Sequence, residues 1–208
     1  MIVLVRHGQT AANANGLFQG RTDLELSRLG IAQADALASH FATTIDRGVS
    51  LRILSSPLKR ALATALPIAS ALGIELAVEP ALTELDYGDW DGRPLSEVTS
   101  EQWSKWRTDP RFVPPGGESL VDVRSRVETW LASAMSFDGV LIAVTHMSPI
   151  KAAACSALAI SDAATWRMRL DLASVTRLSK RDGEVMLSSF NETPAAYVDM
   201  PNLANGNK

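Results

Sequence analysis

Four residues near the start of the chain narrow its fold more than any others. Ile2-Val3-Leu4-Val5 is a continuous apolar run that stops abruptly at Arg6-His7-Gly8-Gln9-Thr10. A strand that is apolar at every position has to be covered on both faces, as in a parallel sheet clad by helices. Similar runs recur at Leu51–Leu54, which breaks at Ser55-Ser56-Pro57, and at Val140–Val144, which ends in Thr145-His146. A weaker strand is expected over Ile74–Val78. Between these lie helical patterns. One runs from a Ser27 cap to Phe41, and another from Leu58 to Leu72 with Gly73 as its stop. Pro67, inside the second, should kink or split it. Ser119 and Asp122 have capping-box spacing ahead of the stripe Leu120, Val123, Val127, Trp130, Leu131 and Ala134. A helix over Pro149–Leu158 and a terminal hairpin, Ser174–Ser179 with Glu184–Ser188, complete the pattern.

Strands alternating with helices predict a single-domain α/β fold, a three-layer α/β/α sandwich around a mostly parallel central sheet. The domain is expected over 1–192. A loop-rich lid insertion is placed at about 86–118, where Trp90, Trp103 and Trp106 gather with several prolines, and a loosely ordered tail follows over 193–208. Ligands of such sheets collect beyond the carboxyl ends of the strands. His7 and His146, two of the three histidines, fall there.

The 208 residues suit one domain, and a net charge of -3 gives no basic field for nucleic acid or an anionic membrane. Cys155 is the only cysteine, so no internal disulfide can form. That suits a reducing compartment, and with neither a signal-peptide pattern nor a membrane-length apolar run the expected location is cytoplasmic.

Arg6-His7-Gly8 puts a guanidinium and an imidazole at a sheet rim. Arg60 opens a helix, where its charge opposes the dipole and calls for a bound anion. Taken alone, these residues fit a solvated strand end and a solvated arginine equally well. His40 reads as a surface residue, Cys155 as core, and Glu118 and Ser119 as shapers of a helix start. Trp103 and Trp106 fit core packing and a lid equally. No histidine or cysteine spacing resembles a metal site, and neither a dinucleotide fingerprint nor a P-loop occurs.

Longer blocks are more specific. Leu4-Val5-Arg6-His7-Gly8-Gln9-Thr10 with Asn13, Phe18-Gln19-Gly20, Leu26-Ser27-Arg28-Leu29-Gly30, Ser55-Ser56-Pro57-Leu58-Lys59-Arg60-Ala61, Leu82–Gly88, Pro115–Ser119 and Val144-Thr145-His146 stand in one order. Together they resemble the histidine phosphatase superfamily, which includes the cofactor-dependent phosphoglycerate mutases. The resemblance implies a metal-independent, cofactor-free phosphomonoesterase with His7 as nucleophile, Arg6, Arg60 and His146 around the phosphoryl oxygens, and Glu84 as general acid and then base. Asn13, Gln19, Gly20 and Tyr87 would contact phosphate or substrate. The implied partner is a small phosphorylated metabolite, with α-ribazole phosphate and sugar phosphates as candidates, and a homodimer is left open.

The Gly116-Gly117-Glu118-Ser119 block is similar to the phosphatase branch, and the arginine- and proline-rich insertion of the mutases has no counterpart. Thr145–Lys151 and Leu170–Ser174 resemble the phosphatase part of actinobacterial ribonuclease H/α-ribazole phosphatase fusions. Met147 stands where many relatives have glycine, which puts a backbone contact there in question. A mutase is the enzymatic alternative. A catalytically silent binding domain is the other, and it would have no physical need for Arg6, His7, Arg60, Glu84 and His146 together.

Overall fold

A computed structural model describes residues 1–194. The strands are β1 (Ile2–Arg6), β2 (Leu51–Ser55), β3 (Leu76–Val78), β4 (Val140–Thr145), β5 (Val175–Arg181) and β6 (Glu184–Glu192). They form one sheet in the order β3-β2-β4-β1-β5-β6. The first four are mutually parallel, while β5 runs antiparallel to β1 and closes a hairpin with β6. The expected α/β sandwich is what forms, with an antiparallel edge.

Alternation along the strands builds two cores. Ile2 and Leu4 of β1 face one side with Leu141 and Ala143 of β4, under α5 (Leu120–Ala134) and α6 (Met147–Ala157). Val3, Val5, Ile142 and Val144 face the other, under α2 (Arg28–Thr44) and α3 (Lys59–Leu72). Each large aliphatic side chain so buried contributes about 1.5–3 kcal/mol. This explains why β1 is apolar at every position from Ile2 to Val5.

Pro67 does not split its helix: α3 is continuous from Lys59 to Leu72 and ends at Gly73, which is left-handed at φ 69°. Proline in a helix interior costs about 3 kcal/mol. Ala61, Thr64, Ala65, Ile68, Ala69 and Leu72 bury one face of α3, and Pro67 lies off it, so packing outweighs the lost hydrogen bond. The first core also takes in the 86–118 stretch. There α4 (Ser100–Thr108) carries Trp106, which packs with Trp90, Tyr87 and Phe18. Among the described residues, no helix is long and apolar enough to cross a membrane. The expected loose tail lies, from residue 195 on, outside the described residues.

Candidate active site

Register brings the motifs together. Ser55 pairs with Val144, and Arg6 with Thr145, so β2, β4 and β1 end at one level. The residues just past those ends are Ser56, His146 and His7. The rings of His7 and His146 lie 5.0 Å apart, centroid to centroid. Both residues are buried.

The hydrogen bonds fix both tautomers. His7 Nδ1 sits 2.7 Å from the Gly8 carbonyl, which can only accept, so Nδ1 carries the proton and Nε2 keeps its lone pair. His146 Nδ1 accepts from Arg60 Nε at 3.2 Å, so its proton is on Nε2 and is donated to Ser56 Oγ at 2.7 Å. Burial and the charges of Arg60 and Arg6 hold the His7 imidazole well below its ordinary range. His146 is lowered in the same way. Both rings are neutral near pH 7.

Arg60, fully buried, donates to the carbonyls of Gly20 (2.7 Å) and Thr22 (3.0 Å) as well as to His146. Those carbonyls offset its unfavourable place in the first turn of α3. Three of its five N–H donors are thus engaged and two stay available. Arg6 donates from Nη1 to Leu170 O, and its buried Nε has no acceptor.

A cavity of about 500 Å³ opens above His7, lined by Arg6, Asn13, Gln19, Glu84, Tyr87 and Lys151 among others. Arg60 and His146 are not on its wall but are fully buried behind it, with the His146 ring against that of His7 and Arg60 bonded to His146. Gly20 is not on its wall: it supports Arg60 through its carbonyl, and a Cβ there would come 2.7 Å from Leu85 O. Asn13 closes a capping box with Thr10 on α1 (Ala11–Ala14), where its Oδ1 accepts from Thr10 and leaves its amide group as donor. Gln19 Oε1 accepts from Thr10 Oγ1 at 2.6 Å, and its buried Nε2 is unpartnered.

The Glu84 carboxylate accepts three backbone N–H groups, from Leu85 (2.8 Å), Met147 (3.1 Å) and Ser148 (3.1 Å). It thereby caps the start of α6, where an anion is favoured. Met147 makes this contact as an ordinary helical residue, so glycine is not required there. The Tyr87 phenol bonds to Ser148 and is pushed up by burial and by Glu84.

The sequence assigned no role to Lys151, Thr165, Trp166 or Arg169, all on the cavity wall. Lys151 had one usable signal, a lone charge in an otherwise apolar helix. Burial and Arg6 lower its ammonium to about 8. Both Trp103 and Trp106 line the cavity, Trp106 buried in the core and Trp103 half-buried against it. His40 is half-buried with its ring against Phe41, and Cys155 is buried with its thiol pushed up to about 11.

Residues 2–193 match the family model for the histidine phosphatase superfamily (branch 1). The chain belongs to that superfamily. Phosphoserine phosphatase 1 of Hydrogenobacter thermophilus is 32% identical over 198 residues, 92% of each chain. A bifunctional protein of Mycobacterium tuberculosis is 34% identical over 180 residues, covering 84% of this superfamily member and 49% of the relative. The chain thus spans about half the length of that curated relative. The structure of a phosphoserine phosphatase mutant of Entamoeba histolytica, in complex with phosphoserine, superposes with a TM-score of 0.83 at 27% identity, covering 92% of this chain and 96% of the other.

Proposed function

We propose that this histidine phosphatase hydrolyses small phosphomonoesters through a phosphohistidine on His7, without metal, in the cytoplasm. The observation that carries this is His7 itself. It is a buried, neutral imidazole whose proton is tied to Gly8 O, so that its free Nε2 lone pair is held beside two arginines under a cavity of metabolite size.

In the first step the Nε2 lone pair forms an N–P bond in line with the departing ester oxygen. The P–O bond breaks, and the alcohol takes a proton from Glu84. Arg6 and the two available N–H groups of Arg60 meet the charge on the equatorial oxygens, where fixed donors supply most of the catalysis. The proton stays on Nδ1, hydrogen-bonded to Gly8 O, which steadies the cationic phosphoimidazole. In the second step Glu84 takes a proton from water, the water oxygen bonds to phosphorus, and the N–P electron pair returns to Nε2 as inorganic phosphate departs.

The test is phosphate release from an aryl phosphate, together with trapping of an acid-labile, base-stable phosphoenzyme. His7→Ala should abolish both, and EDTA should leave the rate untouched. Full activity in His7→Ala refutes the mechanism. Negligible hydrolysis with fast 2-/3-phosphoglycerate interconversion would make the protein a mutase.

A further inference from the structure

The steps above use Arg6, Arg60, His7 and Glu84 and leave one cation in the cavity without a task. Lys151 lies four residues after Met147 on α6. It is therefore about one turn, roughly 6 Å at 1.5 Å per residue, beyond the N–H groups that hold Glu84. Residues four apart share a helix face, and both Met147 and Lys151 line the cavity. Among the described residues Lys151 makes no hydrogen bond and no ion pair, although it feels the charges of Arg6 and, less strongly, Glu84. The other cation on that wall, Arg169, is neutralised by Asp171 at 2.9 Å.

The indole Nε1 groups of Trp106 and Trp166, also on cavity-lining residues, are buried donors without acceptors. The Lys151 ammonium and these two N–H groups are thus donors without partners on residues of one cavity, and the Asp171 carboxylate that also lines it is already taken up by Arg169 and Asn191. Such groups cost free energy until a ligand brings acceptors, and an ammonium is best met by negative charge. Arg6 and Arg60 already match a phosphoryl dianion, so Lys151 is surplus to it.

We infer that Lys151 forms a second anion subsite on the leaving-group side of the cavity, selecting phosphomonoesters whose alcohol carries a carboxylate. The inference rests on the phosphatase reading in one respect: Glu84 marks where the ester oxygen lies. One turn beyond Glu84, a carboxylate two or three bonds from that oxygen is within reach, the spacing of phosphorylated three-carbon hydroxy acids.

The test compares 3-phosphoglycerate with glycerol 3-phosphate, which replaces the carboxylate by an uncharged hydroxymethyl group. Two readouts are used: kcat/KM in the active protein and calorimetric affinity in His7→Ala. The acid should be preferred by about ten- to a hundredfold, the range of one hydrogen bond to a charged group. Lys151→Met should remove most of that preference, mainly through KM, and Lys151→Arg should retain it. Equal use of the two compounds by the unmutated protein overturns the subsite. So does an equal loss on both in Lys151→Met, which would place the ammonium at the phosphoryl group. If nothing is hydrolysed but His7→Ala binds the acid preferentially and Lys151→Met abolishes that preference, the subsite stands and the phosphatase reading falls. If both compounds are hydrolysed without preference, the phosphatase reading stands and the subsite falls.

Discussion

Replacing Glu84 by glutamine should separate proton transfer from simple positioning. The carboxylate now accepts N–H groups on both oxygens, two at Oε1 and one at Oε2. Glutamine can keep its oxygen toward Leu85 and Ser148, but its amide group must then face the Met147 N–H, donor against donor. Leaving that buried pair unsatisfied costs about 1–3 kcal/mol of stability. At about 2–4 °C per kcal/mol for a domain of this size, Tm should fall by about 2–12 °C. The chemical effect should be larger and selective. An alkyl phosphate leaves as a strongly basic alkoxide and should slow by about 10²–10⁴-fold without its acid. That corresponds to about 2.7–5.4 kcal/mol of barrier. An aryl phosphate leaves as a weakly basic phenolate, so its first step should slow far less. Because the same carboxylate activates water, the aryl substrate should then show a burst followed by a slow phase. Rapid-mixing measurement of phenolate and phosphate release reads both steps. Equal slowing of the first step for both substrates would refute the assignment and leave Glu84 as a positioning group. Asp86 is poorly placed to take over, since it is off the cavity wall and pairs with Arg21 at 3.3 Å.

Arg60→Lys should slow alkyl and aryl phosphates by similar factors, at least about tenfold, because one point charge cannot reproduce donation to Gly20, Thr22, His146 and phosphate together; steady-state kinetics on both substrates checks this. Held low by burial and two arginines, His7 should stay neutral as pH falls from 7 to 6, where an ordinary imidazole becomes mostly protonated; ¹⁵N NMR should report a lone pair on Nε2 across that range, and titration near 6.5 would contradict the electrostatics. Gly30→Ala places a Cβ 2.1 Å from Gln9 O, a backbone atom that cannot swing away; a loss of about 1–3 kcal/mol from overpacking should appear in thermal melts, with a fall in activity as the His7 segment shifts.

The strand ends were legible because the physics there is local. An apolar run such as Ile2–Val5 needs cover on both faces, and Gly8, His146 and Ser56 announce where it stops. The capping pair Ser119–Asp122 and the stripe after it were legible for the same reason, and both occur as read. The Leu26–Gly30 block stood out only through family resemblance, and its reason is steric: α2 is pressed so close that a Cβ on Gly8 would meet Gly30 O at 2.5 Å. That Pro67 would not split its helix was not legible, because the buried face of α3 that holds the helix together appears only in the fold. Trp166, Arg169 and Thr165 reach the cavity from a 3-10 turn at Asp162–Arg167 and the loop after it, outside the blocks that carry the resemblance. Their sequence carries no periodic signal, so only tertiary structure shows where they point.

The strand that carries the nucleophile is hydrogen-bonded along both edges, to β4 on one side and β5 on the other. The bonding continues past its end, where the Arg6 N–H donates to Ser174 O and the His7 N–H to Thr145 O, each at 3.0 Å. In native-state hydrogen exchange, amides locked in this way open only with the whole fold, whereas short turns and peripheral helices open locally at far lower cost. The amides of residues 3–7 should therefore exchange last, and those of α4 and the turn at Leu95–Glu97 early. Substrate can then be admitted by local opening on the Trp103 side while the nucleophile remains in the slowest-exchanging part of the molecule. Catalytic competence and global folding would then be lost together, in one cooperative transition.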